Sequence, residues 1–266
     1  MEDFPFPNLP FQKREKKPRN KGINYVRAPV IVGQCINDYL SAYGSLVDIF
    51  KLSGKQAAMM SRSSLVDFIS TCKKHDVLVA VGNPVMDVAL GGGAKVVDSY
   101  FDSVTKYGID IIEISSIARS IDDDDMCRLI ESASKRGIKV INESRVAFAH
   151  SESAKKNIFV ERLAQQSKNF LDAGSWKILL ESEGLTENIK KEDYRWHIID
   201  KVISPLKLEQ FMVEADDQDV LSRYIEIYGP NVNMMIDHTR LLKMEDARIG
   251  YGPSQFLWGK VVRYHD

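Results

Sequence analysis

Four glutamates that each close a short apolar run are the residues of this sequence best suited to chemistry. They are Glu113, Glu143, Glu181 and Glu214. If these carboxylates converge, they repel one another unless a cation or a proton neutralises them. Mg²⁺ is the natural cation, because it takes oxygen ligands and bridges them to a substrate phosphate. We therefore predict a Mg²⁺ site formed by all four glutamates, with Glu143 also catalytic. In the alternative interpretation they pair with Lys51, Arg27 and Arg145 in a structural network.

A lysine at the end of another run predicts an anion site beside the carboxylates. Lys51 closes this run and is followed closely by the turn Ser53-Gly54-Lys55. A lysine charge beside a turn of small residues suits a phosphate or carboxylate group. We expect the turn to bind substrate and Lys51 to be catalytic.

His238 directly follows the last apolar run of the chain. An imidazole changes its charge near neutral pH, so a histidine at a strand end is a candidate general acid or base. The alternative is a structural histidine that hydrogen-bonds to its neighbours.

Apolar runs that alternate with helix-like segments are the elements that must position these residues. The runs are Ile23–Arg27, Val47–Lys51, Val77–Val81, Asp110–Glu113, Ile138–Glu143, Lys177–Glu181, Gln210–Glu214 and Asn231–Asp237. Such runs suit strands buried on both faces, and the alternation indicates a parallel β/α architecture. Eight repeats, with no GxGxxG motif after the first, favour a (β/α)8 TIM barrel over a dinucleotide-binding fold. The charged strand ends then meet at the carboxyl rim.

The first 22 residues differ from the rest of the chain, because prolines and lysines or arginines crowd there. Proline blocks regular pairing and like charges repel, so we predict a flexible arm over 1–22 and one barrel domain over 23–266. The length of 266 residues suits a single barrel.

Charge and composition exclude several function classes. The net charge of −1 gives no electrostatic case for binding nucleic acid or an anionic membrane. Three scattered cysteines suit a reducing compartment. No apolar run approaches the length of a membrane helix, so we expect a cytoplasmic protein, which is also compatible with a homo-oligomer.

Motifs from about Lys17 to Arg248 resemble the phosphosulfolactate synthase family. The matching segments are Lys17-Pro18-Arg19 with Gly22, Val47–Leu52, Glu113-Ile114-Ser115, Glu143, Glu181 near Gly184, Glu214-Ala215 and Asp246-Ala247-Arg248. A likeness to the eukaryotic branch, the plant heat-stress-associated 32 kDa proteins, is carried by Arg27-Ala28-Pro29, Tyr228–Asn233 and Ile236-Asp237-His238.

The resemblance implies a (β/α)8 barrel and, in the enzymes, a Mg²⁺-dependent lyase reaction that adds sulfite to phosphoenolpyruvate. It implies that Lys51, Arg27 and Arg248 hold phosphate or carboxylate groups. It also implies that the glutamates hold the metal and that a rim acid protonates the enolate carbon.

The chain departs from the enzymes' pattern at four strand ends. After strand two it has Ser53-Gly54-Lys55-Gln56 in place of a Gly-Thr pair, and after strand three it has Gly82-Asn83-Pro84 in place of Gly-Gly-Thr. The other two departures change charge. Arg27-Ala28-Pro29 stands where the enzymes carry an aspartate, and Ser182-Glu183 stands where they carry an arginine. Losing a cation while adding an acid alters a site for a dianionic substrate. Two functions therefore stay open, a lyase or a non-catalytic thermotolerance protein that acts through protein contacts.

Overall fold

Eight parallel strands close into a barrel in sequence order, with β8 bonded back to β1. This arrangement confirms the predicted (β/α)8 architecture. The computed structural model describes residues 6, 8–9, 14–27, 32–115, 121–144, 160–215 and 217–249. Arg145, Ala28-Pro29 and the first residues of the predicted helix 158–173 lie outside these ranges.

The strands and helices alternate as the apolar runs predict. The strands are β1 Asn24–Arg27, β2 Ile49–Leu52, β3 Leu78–Val81, β4 Ile111–Ile114, β5 Lys139–Ser144, β6 Lys177–Leu180, β7 Phe211–Glu214 and β8 Met234–Asp237. The described helices are α1 Gln34–Tyr43, α2 Gln56–Met59, α3 Arg62–Lys74, α4 Asn83–Gly91, α5 Ala94–Tyr107, α6 Asp123–Lys135, α7 Val160–Asp172, α8 Trp196–Ile203, α9 Gln218–Tyr228 and α10 Leu241–Arg248. None of the described helices has both the length and the apolar character of a membrane-spanning segment.

Every second strand residue faces the barrel axis, and an apolar layer fills the interior. This layer contains Tyr25, Ile49, Ala80, Ile111, Ile141, Leu179, Met212 and Met235, all buried. The intervening strand residues pack against the helices in a separate, larger core. Because side chains alternate along a strand, the residues two positions later lie on the same inner face at the carboxyl rim. Those residues are Arg27, Lys51, Glu113, Glu143, Glu181, Glu214 and Asp237.

Helix α4 begins almost directly after β3, although glycine and proline in Gly82-Asn83-Pro84 are typical of a loop that interrupts regular structure. The helix begins at Asn83 and has Pro84 in its first turn. Proline is tolerated there because the first helical N–H groups have no partner within the helix. The same residues that interrupt a strand therefore start a helix, and Asn83 lies at the rim.

The described part of the N-terminal arm contacts the amino end of the barrel. The Arg19 guanidinium lies 2.8 Å from Asp48 Oδ1, and Lys17 Nζ donates to the carbonyl oxygens of His75 and Asp76. Arg14 forms an ion pair with Glu245 in α10. Residues 14–22 therefore lie across the pole opposite the rim.

Candidate active site at the carboxyl rim

Lys51 and Glu113 form a buried ion pair inside the rim. Lys51 Nζ lies 2.7 Å from Glu113 Oε1, and Glu113 has no exposed surface. The Tyr25 hydroxyl, one layer deeper, donates to the same oxygen at 2.7 Å, and the Asn83 N–H donates to Oε2 at 3.1 Å. Both oxygens of Glu113 therefore have protein partners.

The charges of this cluster stabilise one another. Burial of Lys51 favours its neutral form, but Glu113, Glu143 and Glu214 outweigh burial and raise its pKa. Burial would likewise raise the pKa of Glu113, yet Lys51 and the Tyr25 hydrogen bond lower it. Lys51 is consequently an ammonium and Glu113 a carboxylate at neutral pH.

Glu143, at the end of β5, is hydrogen-bonded to two neighbours. Its Oε2 accepts from the Ser115 hydroxyl at 2.6 Å. Its carboxyl group also forms a hydrogen bond with Glu113 that helps to lower the Glu113 pKa. Two carboxyl groups hydrogen-bond to each other only when they share a proton. Glu113 and Glu143 are therefore close enough to share a proton.

Arg27 and Glu214 form a second ion pair at the rim, on strands β1 and β7. An Arg27 guanidinium nitrogen lies 2.6 Å from Glu214 Oε1. Glu214 Oε2 accepts from the backbone N–H and the hydroxyl of Ser182 at 3.2 and 3.1 Å. Ser182, which stands where the family pattern has an arginine, thus holds the carboxylate in place.

The four glutamates do not fit the predicted Mg²⁺ site. Glu113 is enclosed by Lys51 and Tyr25, Glu143 accepts from Ser115 and contacts Glu113, and Glu214 pairs with Arg27. Glu181 follows β6 directly, and its N–H donates to the Ser144 carbonyl at 3.3 Å. Within the described ranges, no group of three or more histidine, cysteine, aspartate or glutamate side chains is arranged to hold a metal. The geometry resembles the alternative that we drew from the sequence, in which the glutamates pair with cations in a structural network.

His238 lies at the edge of the rim rather than inside it. Its Nδ1 is 3.1 Å from Asp237 Oδ1, and its carbonyl accepts from the Tyr39 hydroxyl at 3.1 Å. The same Asp237 oxygen accepts from the N–H and the hydroxyl of Thr239 and thereby caps the following turn. Asp237 and Tyr39 thereby fix the local conformation around His238.

The turn Ser53-Gly54-Lys55 follows β2 and leads into α2. Gly54 adopts a φ of 55°, and Lys55 is exposed before the first residue of the helix. The Ser53 hydroxyl is buried and has no hydrogen-bond partner in the described part of the chain. A ligand reaching this turn would meet one hydroxyl donor and one exposed ammonium group.

Arg248 does not join the other predicted site residues. It is the last residue of α10 and only 2% exposed. Its guanidinium donates to the Pro230 carbonyl, ahead of β8, and lies 3.8 Å from Glu245 Oε1. These contacts place it at the amino pole, so it cannot share a ligand with Lys51.

Asn83 is the rim residue that the sequence-based choice of site residues left out. Its side chain is 1% exposed, yet neither its Oδ1 nor its Nδ2 has a partner among the described residues. A buried, unsatisfied amide is costly and rare in folded proteins. Its position directly after β3 was the available sequence signal. The amide and the Ser53 hydroxyl, on adjacent strand ends, offer polar contacts to a ligand.

The chain is similar over most of its length to proteins of a known family. Residues 12–252 match the family model of (2R)-phospho-3-sulfolactate synthase, ComA. The chain is 25% identical over 257 residues to the Arabidopsis thaliana protein HEAT-STRESS-ASSOCIATED 32, covering 89% of each. It is 25% identical over 231 residues to a phosphosulfolactate synthase of Methanothermobacter thermautotrophicus, covering 83% of this chain and 85% of that one.

Solved structures with the same fold are more distant in sequence. A 3-hexulose-6-phosphate synthase superposes with a TM-score of 0.54 at 12% identity, covering 85% of this chain and 99% of that one. At this identity the likeness concerns the barrel alone.

Proposed function

Because the chain belongs to the (2R)-phospho-3-sulfolactate synthase family, we propose that its carboxyl rim catalyses addition of a nucleophile such as sulfite to a small phosphorylated acid. Phosphoenolpyruvate is the acid that the family reaction implies. The observation that carries the proposal is the buried Lys51–Glu113–Tyr25 cluster. It places a buried cation next to Glu143, which is the proton donor in this proposal.

The reaction needs a stabilised enolate and a proton. The sulfur lone pair of sulfite attacks the methylene carbon and forms the C–S bond, while the C=C electron pair moves onto the neighbouring carbon and its carboxylate. The Lys51 ammonium stabilises this negative charge, and Glu143 delivers its proton to the carbon. Glu143 then regains a proton from solvent.

Lys51 acts here through its charge rather than as a nucleophile. A lysine that forms a Schiff base needs a depressed pKa, so that its amine is neutral. The pKa of Lys51 is raised instead, because the surrounding carboxylates outweigh its burial. Electrostatic stabilisation of an anionic intermediate is the role that a permanently charged, buried ammonium fills best.

Substrate contacts come from the rim residues with polar groups to offer. The Asn83 amide and the Ser53 hydroxyl bind polar groups of the substrate, and binding relieves their lack of partners. Arg27, on the inner face at the end of β1, and the exposed Lys55 attract its phosphate or carboxylate. The proposed reaction has no step through Mg²⁺, because the four glutamates do not fit the predicted metal site.

An assay of the purified protein tests the proposal. Incubation with phosphoenolpyruvate and sulfite, with and without Mg²⁺, should give a sulfite-dependent new phosphorus signal. Lys51→Met and Glu143→Gln should abolish it, whereas Lys168→Met, on the exposed surface of α7, should not. Absence of product, together with no thermal stabilisation by phosphoenolpyruvate, overturns the proposal.

A non-catalytic role in heat stress is the second candidate function. The specific observation in its favour is the similarity to HEAT-STRESS-ASSOCIATED 32 across 89% of both chains. The two rim ion pairs also suit a barrel that retains its rim for stability. In a heat-survival test, Lys51→Ser should remove the benefit if it depends on catalysis. A benefit retained by a correctly folded Lys51→Ser variant supports the non-catalytic role.

A further inference from the structure

A cavity lies at the pole of the barrel opposite the carboxyl rim, between the N-terminal arm and the amino ends of the strands. Its volume is about 530 Å³, within the range of pockets that hold small organic ligands. Arm residues 17–20 line one side, and Ile49, Leu78 and Lys139 line another. Lys139 and Glu143 begin and nearly end the same strand, so the two sites are separated by about 13 Å along β5.

Lysines without a carboxylate partner surround this basal cavity. Lys17 Nζ donates only to the His75 and Asp76 carbonyls, and Lys177 Nζ only to the Asn20 and Glu209 carbonyls. Lys139 is exposed and lies over the Trp176 ring. No carboxylate lies within ion-pair distance of these three lysines in the described part of the chain, although Asp48 and Asp76 attract Lys17 and Glu209 attracts Lys177 at longer range.

Two of the three carboxylates that line the cavity are bound by other groups. Asp48 Oδ1 pairs with Arg19, and its Oδ2 accepts from the Asn24 N–H at 2.9 Å. Asp110 Oδ2 accepts from the Val79 N–H at 2.9 Å. Asp76 is exposed at the outer edge of the cavity. Lys17 and Lys139, which have no ion-pair partner among the described residues, can therefore still pair with an added anion.

One wall of the cavity is flat and apolar. Trp176 lies with its ring centre 4.7 Å from Lys139 Nζ and 4.8 Å from Lys177 Nζ. Ile23, Ile49 and Leu78 complete the apolar surface. A flat, electron-rich ring flanked by two ammonium groups suits a ligand with a planar apolar body and an anionic group at its edge.

We propose that the basal cavity binds a small organic anion with a planar apolar body, such as an aromatic carboxylate. The anion pairs with Lys139 and Lys17, and its ring lies against Trp176 and Leu78. This site is distinct from the carboxyl rim, because none of its residues belongs to the Lys51–Glu113 cluster. Its occupation would also hold arm residues 17–20 against the barrel.

Calorimetry with three matched probes tests this inference on the full-length protein. Benzoate has both the charge and the ring, acetate has only the charge, and benzamide has only the ring. We expect benzoate to bind with a dissociation constant of about 1 mM or tighter, and the other two at least about tenfold more weakly. Equal binding of benzoate and acetate, or no benzoate binding at about 10 mM, overturns the proposal.

Variants locate the binding site. Lys139→Met should weaken benzoate binding at least about tenfold, whereas Lys168→Met, on exposed α7, should leave it unchanged. Lys139 is exposed, so its replacement should preserve the fold, which circular dichroism checks. Lys51→Met should retain benzoate binding. If Lys51→Met abolishes binding while Lys139→Met does not, benzoate binds at the rim and the basal site is wrong.

Discussion

Lys51 and Glu113 meet across strand β3, where Gly82 leaves room for their ion pair. A β-carbon added at Gly82 would lie 3.1 Å from Lys51 Cε and 3.4 Å from Glu113 Oε2. The Gly82 φ of −67° is accessible to any residue, so space rather than backbone conformation makes glycine important here. The residue after β3 thus controls the approach of two side chains from β2 and β4.

Gly82→Ala should push Lys51 away from Glu113. We expect a loss of about 1–3 kcal/mol of unfolding free energy, because a buried methyl group overpacks the rim. Binding of phosphoenolpyruvate should weaken as well. Gly44→Ala is a matched control, since its new β-carbon would lie 3.3 Å from His75 Cβ, away from the rim, at an equally permitted φ of −58°. An equal loss of ligand binding in both variants would refute a specific role for Gly82.

Removing one member of the Lys51–Glu113 pair should destabilise the protein more than removing both. Lys51→Met leaves a buried carboxylate without its cation, at a cost of about 3–5 kcal/mol. The double variant Lys51→Met/Glu113→Gln should recover much of that loss, because no uncompensated charge remains. Urea unfolding of the wild type, both single variants and the double variant measures the coupling. Additive effects would show that the two charges do not depend on each other.

Asn83→Leu should make the protein more stable and its site weaker. The substitution keeps the branching at Cγ and removes two polar atoms that have no partner among the described residues, from a side chain that is 1% exposed. We expect a gain of about 1–3 kcal/mol in unfolding free energy. Substrate binding should fall, as is typical when a functional polar group is replaced. Asn142→Leu offers a contrast, because its Nδ2 donates to the Ile114 carbonyl and the substitution should destabilise. A destabilised Asn83→Leu variant would mean that the amide already has a partner.

The barrel and the convergence of its strand ends could be predicted from the sequence. Apolar runs that end in Lys51, Glu113, Glu143 and Glu214 suffice, because the carboxyl ends of parallel strands meet at one rim. Which of these side chains pair with one another could not be predicted. It depends on the depth of Tyr25 inside the barrel and on the space at Gly82, and neither residue differs in sequence from ordinary core or loop positions.

The position of Arg248 shows what the motif alone could not provide. Helices of a (β/α)8 barrel run antiparallel to the strands, so a residue that ends a helix lies at the amino pole. Arg248 ends α10 and therefore lies opposite the rim. The resemblance to the family motif led us to place Arg248 in the substrate site. The direction of the helix determines instead that it lies at the amino pole.

Stability should rise with pH in the alkaline range because of Lys177. Burial lowers its pKa from 10.5 to about 8. Between these two values the unfolded chain binds more protons than the folded protein, so the free energy of unfolding increases with pH. The increase is at most about 1.4 kcal/mol per pH unit for one such group. Lys177→Met should reduce this rise in urea unfolding measured across the range, and Lys168→Met should preserve it. Lys17 supplies a second test, because burial also lowers its pKa to about 8. A pH-independent difference between wild type and Lys177→Met would contradict the prediction.

Arg248→Met should damage the fold without affecting the rim. The guanidinium is buried beside Glu245, which also accepts from Arg14 and from the Asn24 amide at the start of β1. Loss of one cation from this buried network should cost about 3–5 kcal/mol of unfolding free energy. Affinity for phosphoenolpyruvate should stay within about twofold of the wild type at a temperature where both are folded. Calorimetric titration at low temperature separates the loss of stability from any loss of ligand affinity. The variant Arg27→Met is the opposite case. That variant removes a half-exposed rim cation and should weaken binding with a smaller loss of stability. Should Arg248→Met lose ligand affinity while remaining fully folded, the amino pole must communicate with the rim, and the separation of the two ends would be wrong.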